Sequence, residues 1–259
     1  GLEGQMIAGG VGATAISLGE VGPEPLRLAL MMAAAMVFGG LWASIPAGLK
    51  LKIGVNEIIS TLLLNYVAFN LLLHLLYGPW KDADNFPHSN KYAPFELLPD
   101  LLPGVNAALL IAATVVLGLS YLVWRSRAGV YMRFIGASPG VAQALGAPVR
   151  PVIFGAIALS GAIAGLAGFV VASGQEGRLT QSFFQGYGVS GVLIGFLARN
   201  NPVAAALVGI LMAMLTAAGQ NLQVFYNVPQ AMVQLIQALI VMCVAASDFL
   251  ILHRLHWTR

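Results

Sequence analysis

PVIFGAIALSGAIAGLAGFVVAS, residues 151–173, runs for 23 positions without a single Asp, Glu, Lys or Arg. A helix rises 1.5 Å per residue, so about 20 such residues cross a hydrocarbon core of about 30 Å. A soluble core has no use for an uncharged run of this length. In a bilayer the same run forms a helix that satisfies its backbone hydrogen bonds internally. Four more uncharged stretches meet the criterion, at residues 28–49, 58–77, 104–123 and 228–247, and a shorter sixth lies at 202–218. Two weaker apolar stretches, the Gly-rich 5–19 and the brief 187–198, are expected as partial or broken helices. The reading is all-α: a polytopic transmembrane helical bundle of about 7–8 membrane segments, some short or broken, in one domain over residues 1–259.

Composition agrees. Hydrophobic residues make up 58% of the chain and charged residues 9%, where a soluble domain carries about 25% charged residues. The net charge of +3 is small and sits in loops between apolar stretches. Membrane topology accounts for it better than nucleic acid, which is excluded as a partner. The one cysteine, Cys243, lies within an apolar stretch, so the chain builds neither a disulfide framework nor a zinc site. Its four histidines, His74, His88, His253 and His256, do not group within a span, and neither a metal site nor a cofactor is expected.

Lys and Arg collect on the cytoplasmic side of membrane proteins. Lys50 and Lys52 follow one span, Arg125, Arg127, Arg133 and Arg150 fill the loop at 125–150, and Arg254 and Arg259 close the chain. Two crossings separate Lys50 from Arg125, so charge and parity place both inside. The C-terminus joins them if 187–198 is a short return crossing that brings Arg199 inside. Residues 78–103 then lie outside. They carry Trp80, Lys81, Asp82, Asp84, Lys91, Glu96 and Asp100, mixed in sign and rich in Pro, and read as an ordered extracytoplasmic cap. Glu3 and Gln5 head an apolar stretch, where a carboxylate usually faces protein or a water-filled cavity. An N-terminal portion, with its own spans, is therefore expected ahead of Gly1.

Polar residues inside spans are the candidate functional groups. At 100° per residue, Glu57, Ser60, Thr61 and Asn65 fall within an arc of about 140° on one helix face. That face either lines a translocation path for a polar solute, or it is satisfied locally. In the local reading Asn56 caps the helix, Glu57 sits at its positive end and the hydroxyls bond to backbone. Gln230, Gln234 and Gln237 share about 60° of another face, as a pore wall or as interhelical glue. Gly161 and Gly165 form a small-xxx-small pattern suited to close helix packing. In the inner loop, Ser138 is a good N-cap, Pro139 suits the first helical position and Gly146 can end the helix. A helix so short needs a surface to dock on. That surface is a partner's or the protein's own.

These residues meet a known pattern. GLEGQM at the start resembles the end of an Asn-Ile-Gly-x-Glu-Gly-Gln motif, NEIISTLLLNYVA resembles a signature of nucleoside-type permeases, and IGASPGVAQALGAPV looks like a coupling loop that touches an ATPase. With GYGVSGVLIGFLARNNPVAA, they give essentially the whole chain a resemblance to the branched-chain amino acid and simple sugar permeases of ABC importers, nearest the nucleoside branch. The resemblance implies a multi-pass permease subunit in a bacterial or archaeal plasma membrane, without enzymatic activity of its own. Its implied partners are a second permease subunit, cytoplasmic ATPase subunits, an extracytoplasmic substrate-binding lipoprotein and membrane lipid. It also implies ATPase coupling through Ser138, Pro139, Val141, Ala142, Gln143, Ala144, Leu145 and Gly146, with Gln143 where relatives commonly carry charge. The chain has no G-x-x-x-x-G-K-[ST] phosphate loop, so ATP hydrolysis belongs to a separate subunit. An ion-coupled secondary transporter of a small polar solute is the alternative, with Glu3 its one mid-membrane ionisable candidate. An intramembrane enzyme would need a nucleophile–base pair or a metal cluster, and the sequence offers none.

Overall fold

The computed structural model describes residues 3–82, 86–102, 104–184, 186–199 and 201–226, together with 229, 231–232, 235–236, 238–240 and 242–243. The helices are α1 (Gly4–Leu18), α2 (Glu24–Ile53), α3 (Glu57–Tyr77), α4 (Ala108–Arg125), α5 (Arg127–Ala137), α6 (Pro139–Ala144), α7 (Val149–Val171), α8 (Tyr187–Leu197) and α9 (Pro202–Tyr226). A two-stranded antiparallel hairpin, β1 (Asp100–Leu102) with β2 (Val105–Asn106), precedes α4. Among the described residues five helices are long and apolar enough to cross a membrane: α2, α3, α4, α7 with the turn that extends it, and α9. Half of the positions of the stretch expected at 228–247 lie outside the described residues.

The chain divides into two units, residues 1–189 and 190–259. In the first, α1, α2 and α7 form the centre, and glycine makes their approach possible. A Cβ on Gly9 would sit 2.2 Å from Cα of Gly165, and a Cβ on Gly161 would sit 2.2 Å from Cβ of Ala43. In lipid, helices associate through such close van der Waals packing, because lipid tails are as apolar as the side chains. The Gly-rich stretch is a short helix but not a broken one: α1 is continuous over 15 residues and buried along most of its length. Helix α2 ends at Gly54, whose φ of 76° lets its N–H reach back to the carbonyl of Lys50. Asn56 then caps α3 by accepting from the N–H of Ile58 at 2.9 Å. In the second unit, Asn201 accepts from the N–H of Val203 at 3.0 Å and starts α9 in the same way.

At one end of the first unit, residues 86–106 are tied to residues 173–180. Ser89 N–H donates to the carbonyl of Leu179, Tyr92 N–H to that of Gly177 and Leu98 N–H to that of Ser173, while Asn106 Nδ2 donates to the carbonyl of Gly174. Glu96 is the buried pin, 2% exposed. Its carboxylate accepts from Ser17 Oγ on α1 at 2.7 Å and from Ala93 N–H at 2.9 Å, and pairs with Arg27 on α2 at 3.4 Å. Beside it, burial pushes the Tyr92 phenol above its ordinary range; a hydrogen bond with Thr14 opposes this and the Glu96 charge adds to it. Replacing Glu96 by Ala leaves Ser17 without its carboxylate acceptor and Arg27 with the carbonyl of Gly22 but no counter-charge. The expected loss is about 3 kcal/mol, read as a lower unfolding temperature of the purified protein. Glu96→Gln, which keeps an acceptor, should lose less.

The loop at 125–150 holds more structure than its sequence suggested. Ahead of α6 stands α5, capped by Ser126, whose Oγ accepts from Gly129 N–H at 3.1 Å. Ser138 caps α6 through Val141 N–H, Pro139 is its first residue, and Gly146 follows its end at φ 80°.

Candidate functional site: a cavity between α1 and α3

The polar centre of the first unit is Asn65, halfway along α3. Its Oδ1 accepts from the N–H of Gly4 at 2.9 Å, so the start of α1 is held beside the middle of α3. Beside this contact a cavity of about 400 Å³ opens, lined by Glu3 and Ile7, by Leu62, Asn65, Tyr66 and Phe69 of α3, and by Phe184 and Val189. The α3 residues are spaced i, i+3, i+4, i+7, which is one helix face. Phe69 and Phe184 meet edge to face, with ring centroids 5.8 Å apart. Three aromatic rings, one amide and one carboxylate therefore border one space. Such a mix grips a flat or ring-shaped solute by its faces and by a few polar groups at its edge.

The polar arc read from the sequence reaches this cavity only at Asn65. Glu57, in the first turn of α3, forms an ion pair with Lys50 at the α2–α3 corner. Ser60 is buried and donates to the carbonyl of Glu57, and Thr61 donates to that of Ile58, each at 3.1 Å. Local backbone therefore satisfies both hydroxyls, while the cavity face is turned toward Leu62, Tyr66 and Phe69. The i, i+3, i+4, i+7 spacing of those residues was visible in the sequence. Their aromatic and apolar character carries no polar signal, and the reading rested on the polar arc instead. Gln230, Gln234 and Gln237 lie outside the described residues.

A second space, about 500 Å³, lies near the other end of α1 and is lined by Ala15, Leu18, Gly19, Pro79, Trp80, Lys81 and Asn90. On α6, Ala142 is 2% exposed and faces the protein itself, whereas Val141 and Leu145 are 58% and 76% exposed. Gln143 and Ala144 are exposed as well. The segment 138–145 thus offers an apolar edge at Val141 and Leu145, while Ala142 is turned toward the chain's own helices.

The family described as branched-chain amino acid transport system / permease component matches residues 1–245. The chain belongs to this family. The glucose ABC transporter permease protein TsgB13 of Haloferax volcanii is 35% identical over 96% of this chain and 69% of its own length. The guanosine ABC transporter permease protein NupP of Bacillus subtilis is 29% identical over 95% of this chain and 73% of its own. The nucleoside ABC transporter permease protein NupB of Lactococcus lactis is 24% identical over 95% and 71%. No solved structure matches the chain significantly. The protein is a permease component of an ABC transport system, a multi-pass plasma-membrane protein and not an enzyme. As such it works with ATPase and substrate-binding components. The ion-coupled alternative is set aside, and Glu3 of this permease is accounted for as a wall of the cavity.

Proposed function

We propose that this permease forms the translocation path for a nucleoside or a related small hydroxylated ring, imported at the expense of ATP hydrolysed elsewhere. The cavity between α1 and α3 is the observation that supports this. Its volume of about 400 Å³ falls within the range of about 300–1,000 Å³ in which small ligands bind. Tyr66, Phe69 and Phe184 offer ring faces to a base or sugar, and Asn65 Nδ2 and the Glu3 carboxylate face its hydroxyl and amine edge. The relatives named for glucose, guanosine and nucleosides share that chemistry, a hydroxylated ring with or without a flat base. In this reading residues 78–103 face the exterior, where a substrate-binding lipoprotein delivers the solute. Residues 125–150 face the cytoplasm, where the exposed edge of α6 meets an ATPase subunit, and a second permease subunit completes the membrane portion.

Removing one ring tests the path. In the importer reconstituted into vesicles, Tyr66→Ala or Phe69→Ala should raise the KM for guanosine about tenfold, the effect of losing roughly 1.4 kcal/mol of aromatic contact. Uptake of guanosine and of glucose, measured side by side, shows which ring chemistry the cavity takes. Unchanged kinetics for both solutes in both variants would sink the reading. Asn65 is a poor probe, because its replacement also releases the start of α1.

A further inference from the structure

The two spaces described above are strung along the same pair of helices. On α1 the mid-depth cavity touches Ile7 and the second space touches Ala15, two helical turns and about 12 Å apart. Val11 stands between them on the same stripe. On α3 the order repeats: Phe69 lines the cavity, Leu72 and Leu76 follow, and the chain then reaches Pro79 and Trp80 of the other space. What fills the interval is one apolar cluster. Val11, Leu72, Leu76, Leu179 and Phe183 are each at most 8% exposed, and Trp80 packs on this cluster, as do Phe69 and Phe184. Phe183 is seated on Gly10: a Cβ there would lie 2.7 Å from the tip of the ring. The side chains of Val11, Leu72, Leu76, Leu179 and Phe183 offer a hydrated solute no hydrogen-bond partner.

We infer that the space beside Trp80 and the cavity beside Phe69 are consecutive compartments of one path, and that Phe183 with Leu179 is the barrier between them. This rests on the reading of the cavity as a solute compartment. The outer compartment takes the solute first, with the Trp80 ring and the polar groups of Lys81 and Asn90 at its wall. Passage to the inner one requires the Phe183 ring to leave Gly10. The path is then closed to free diffusion at rest, and a hydroxylated ring solute crosses it in two stages. Leu179 shares the barrier because its backbone is fixed by Ser89 on both sides, through its own N–H and its carbonyl.

The test uses the complete importer in vesicles, oriented with the substrate-binding face outward, in a Cys243→Ser background. A membrane-impermeant maleimide is added outside to reporters at Trp80→Cys and Phe69→Cys, and passive guanosine flux is followed without ATP. The expected result is fast labelling of Trp80→Cys, and labelling of Phe69→Cys at least tenfold slower. Phe183→Ala should abolish that difference and open an ATP-independent flux, with excess guanosine still protecting Phe69→Cys. Phe183→Leu, which keeps an apolar plug, guards against a folding defect and should give an intermediate rate. Gly10→Ala, which displaces the ring without shortening it, should also speed labelling. Unchanged labelling of Phe69→Cys in all three variants, with guanosine protection retained, overturns the barrier while leaving the cavity reading intact. Faster labelling without guanosine protection overturns both, because the cavity would then not hold the solute. A Trp80→Cys shielded from outside overturns the order of the compartments.

Discussion

Replacing Gly165 by Leu is expected to leave no folded protein to extract from the membrane. Even a single methyl group at this position would lie 2.2 Å from the carbonyl oxygen of Ala35 and 3.0 Å from Cα of Gly39. Both are backbone atoms, which cannot rotate away as a flexible side chain does. Gly165→Ala should therefore separate α7 from α2 and lower stability by about 1–3 kcal/mol. The four-carbon side chain of Leu exceeds what any local shift absorbs. Gly155 provides the control, since a Cβ there meets nothing within 4 Å although it lies on the same helix. Gly155→Leu should give a single symmetrical peak on size-exclusion chromatography in detergent, with Gly165→Ala broadened or heat-sensitive and Gly165→Leu absent. A normal peak for Gly165→Leu would mean that α1, α2 and α7 do not pack through their glycines.

The second large effect is expected at the tip of α6. Leu145 is 76% exposed, and Val141 one turn earlier is 58% exposed. If this edge is the one that meets the ATPase, Leu145→Asp buries an unpaired carboxylate in an apolar contact. The penalty is about 3–5 kcal/mol, which weakens association more than a hundredfold. The measurement is co-purification of the ATPase, followed by solute-stimulated ATP hydrolysis in vesicles. Loss of both with a monodisperse permease is the expected result. Full retention of both would show that α6 is only a connector. Ala142→Asp would answer a different question, because Ala142 is 2% exposed and anchors α6 to its own chain. Its replacement should disturb the permease before any partner is present.

The features legible in the sequence were those set by local chemistry. Uncharged length fixes α2, α3, α4 and α7, and cap residues fix where helices start. Asn56 and Ser138 do what their side chains predict, and Ser126 shows the same signature for α5, hidden among arginines that drew attention to topology. Gly161 and Gly165 read correctly as a packing surface because their spacing is itself the geometry. The rest depends on contacts between residues far apart in the chain. Helix α1 was underrated because glycine lowers apolarity and helix propensity, while its value lies in how closely α7 approaches it. The cavity could not be read from α3 alone: hydroxyls and a carboxylate looked like the functional face, but their nearest acceptors and cations are on or beside the same helix. Asn65 was the exception, since its partner, Gly4, is 61 residues away. Of the polar arc, Asn65 alone borders the cavity, whose other α3 residues are Leu62, Tyr66 and Phe69.

The seam that joins residues 86–106 to residues 173–180 has a consequence for how the protein is made. Its hydrogen bonds link positions 77 and 90 apart in sequence, with α4, the loop at 125–150 and α7 synthesised in between. A ribosome adds about 5–20 residues per second, so the earlier strand of the seam waits roughly 4–18 s for the later one to emerge. Throughout that interval Glu96 can find Ser17 and Arg27, which precede it, but the carbonyls and N–H groups meant for Ser173, Gly177 and Leu179 have only water. The seam thus sets only after α7 has been made, and its closure requires α7 to bring residues 173–180 back to residues 86–106. A chain whose α7 entered the bilayer backwards would leave it unsealed, open to the proteases that survey a newly made membrane protein.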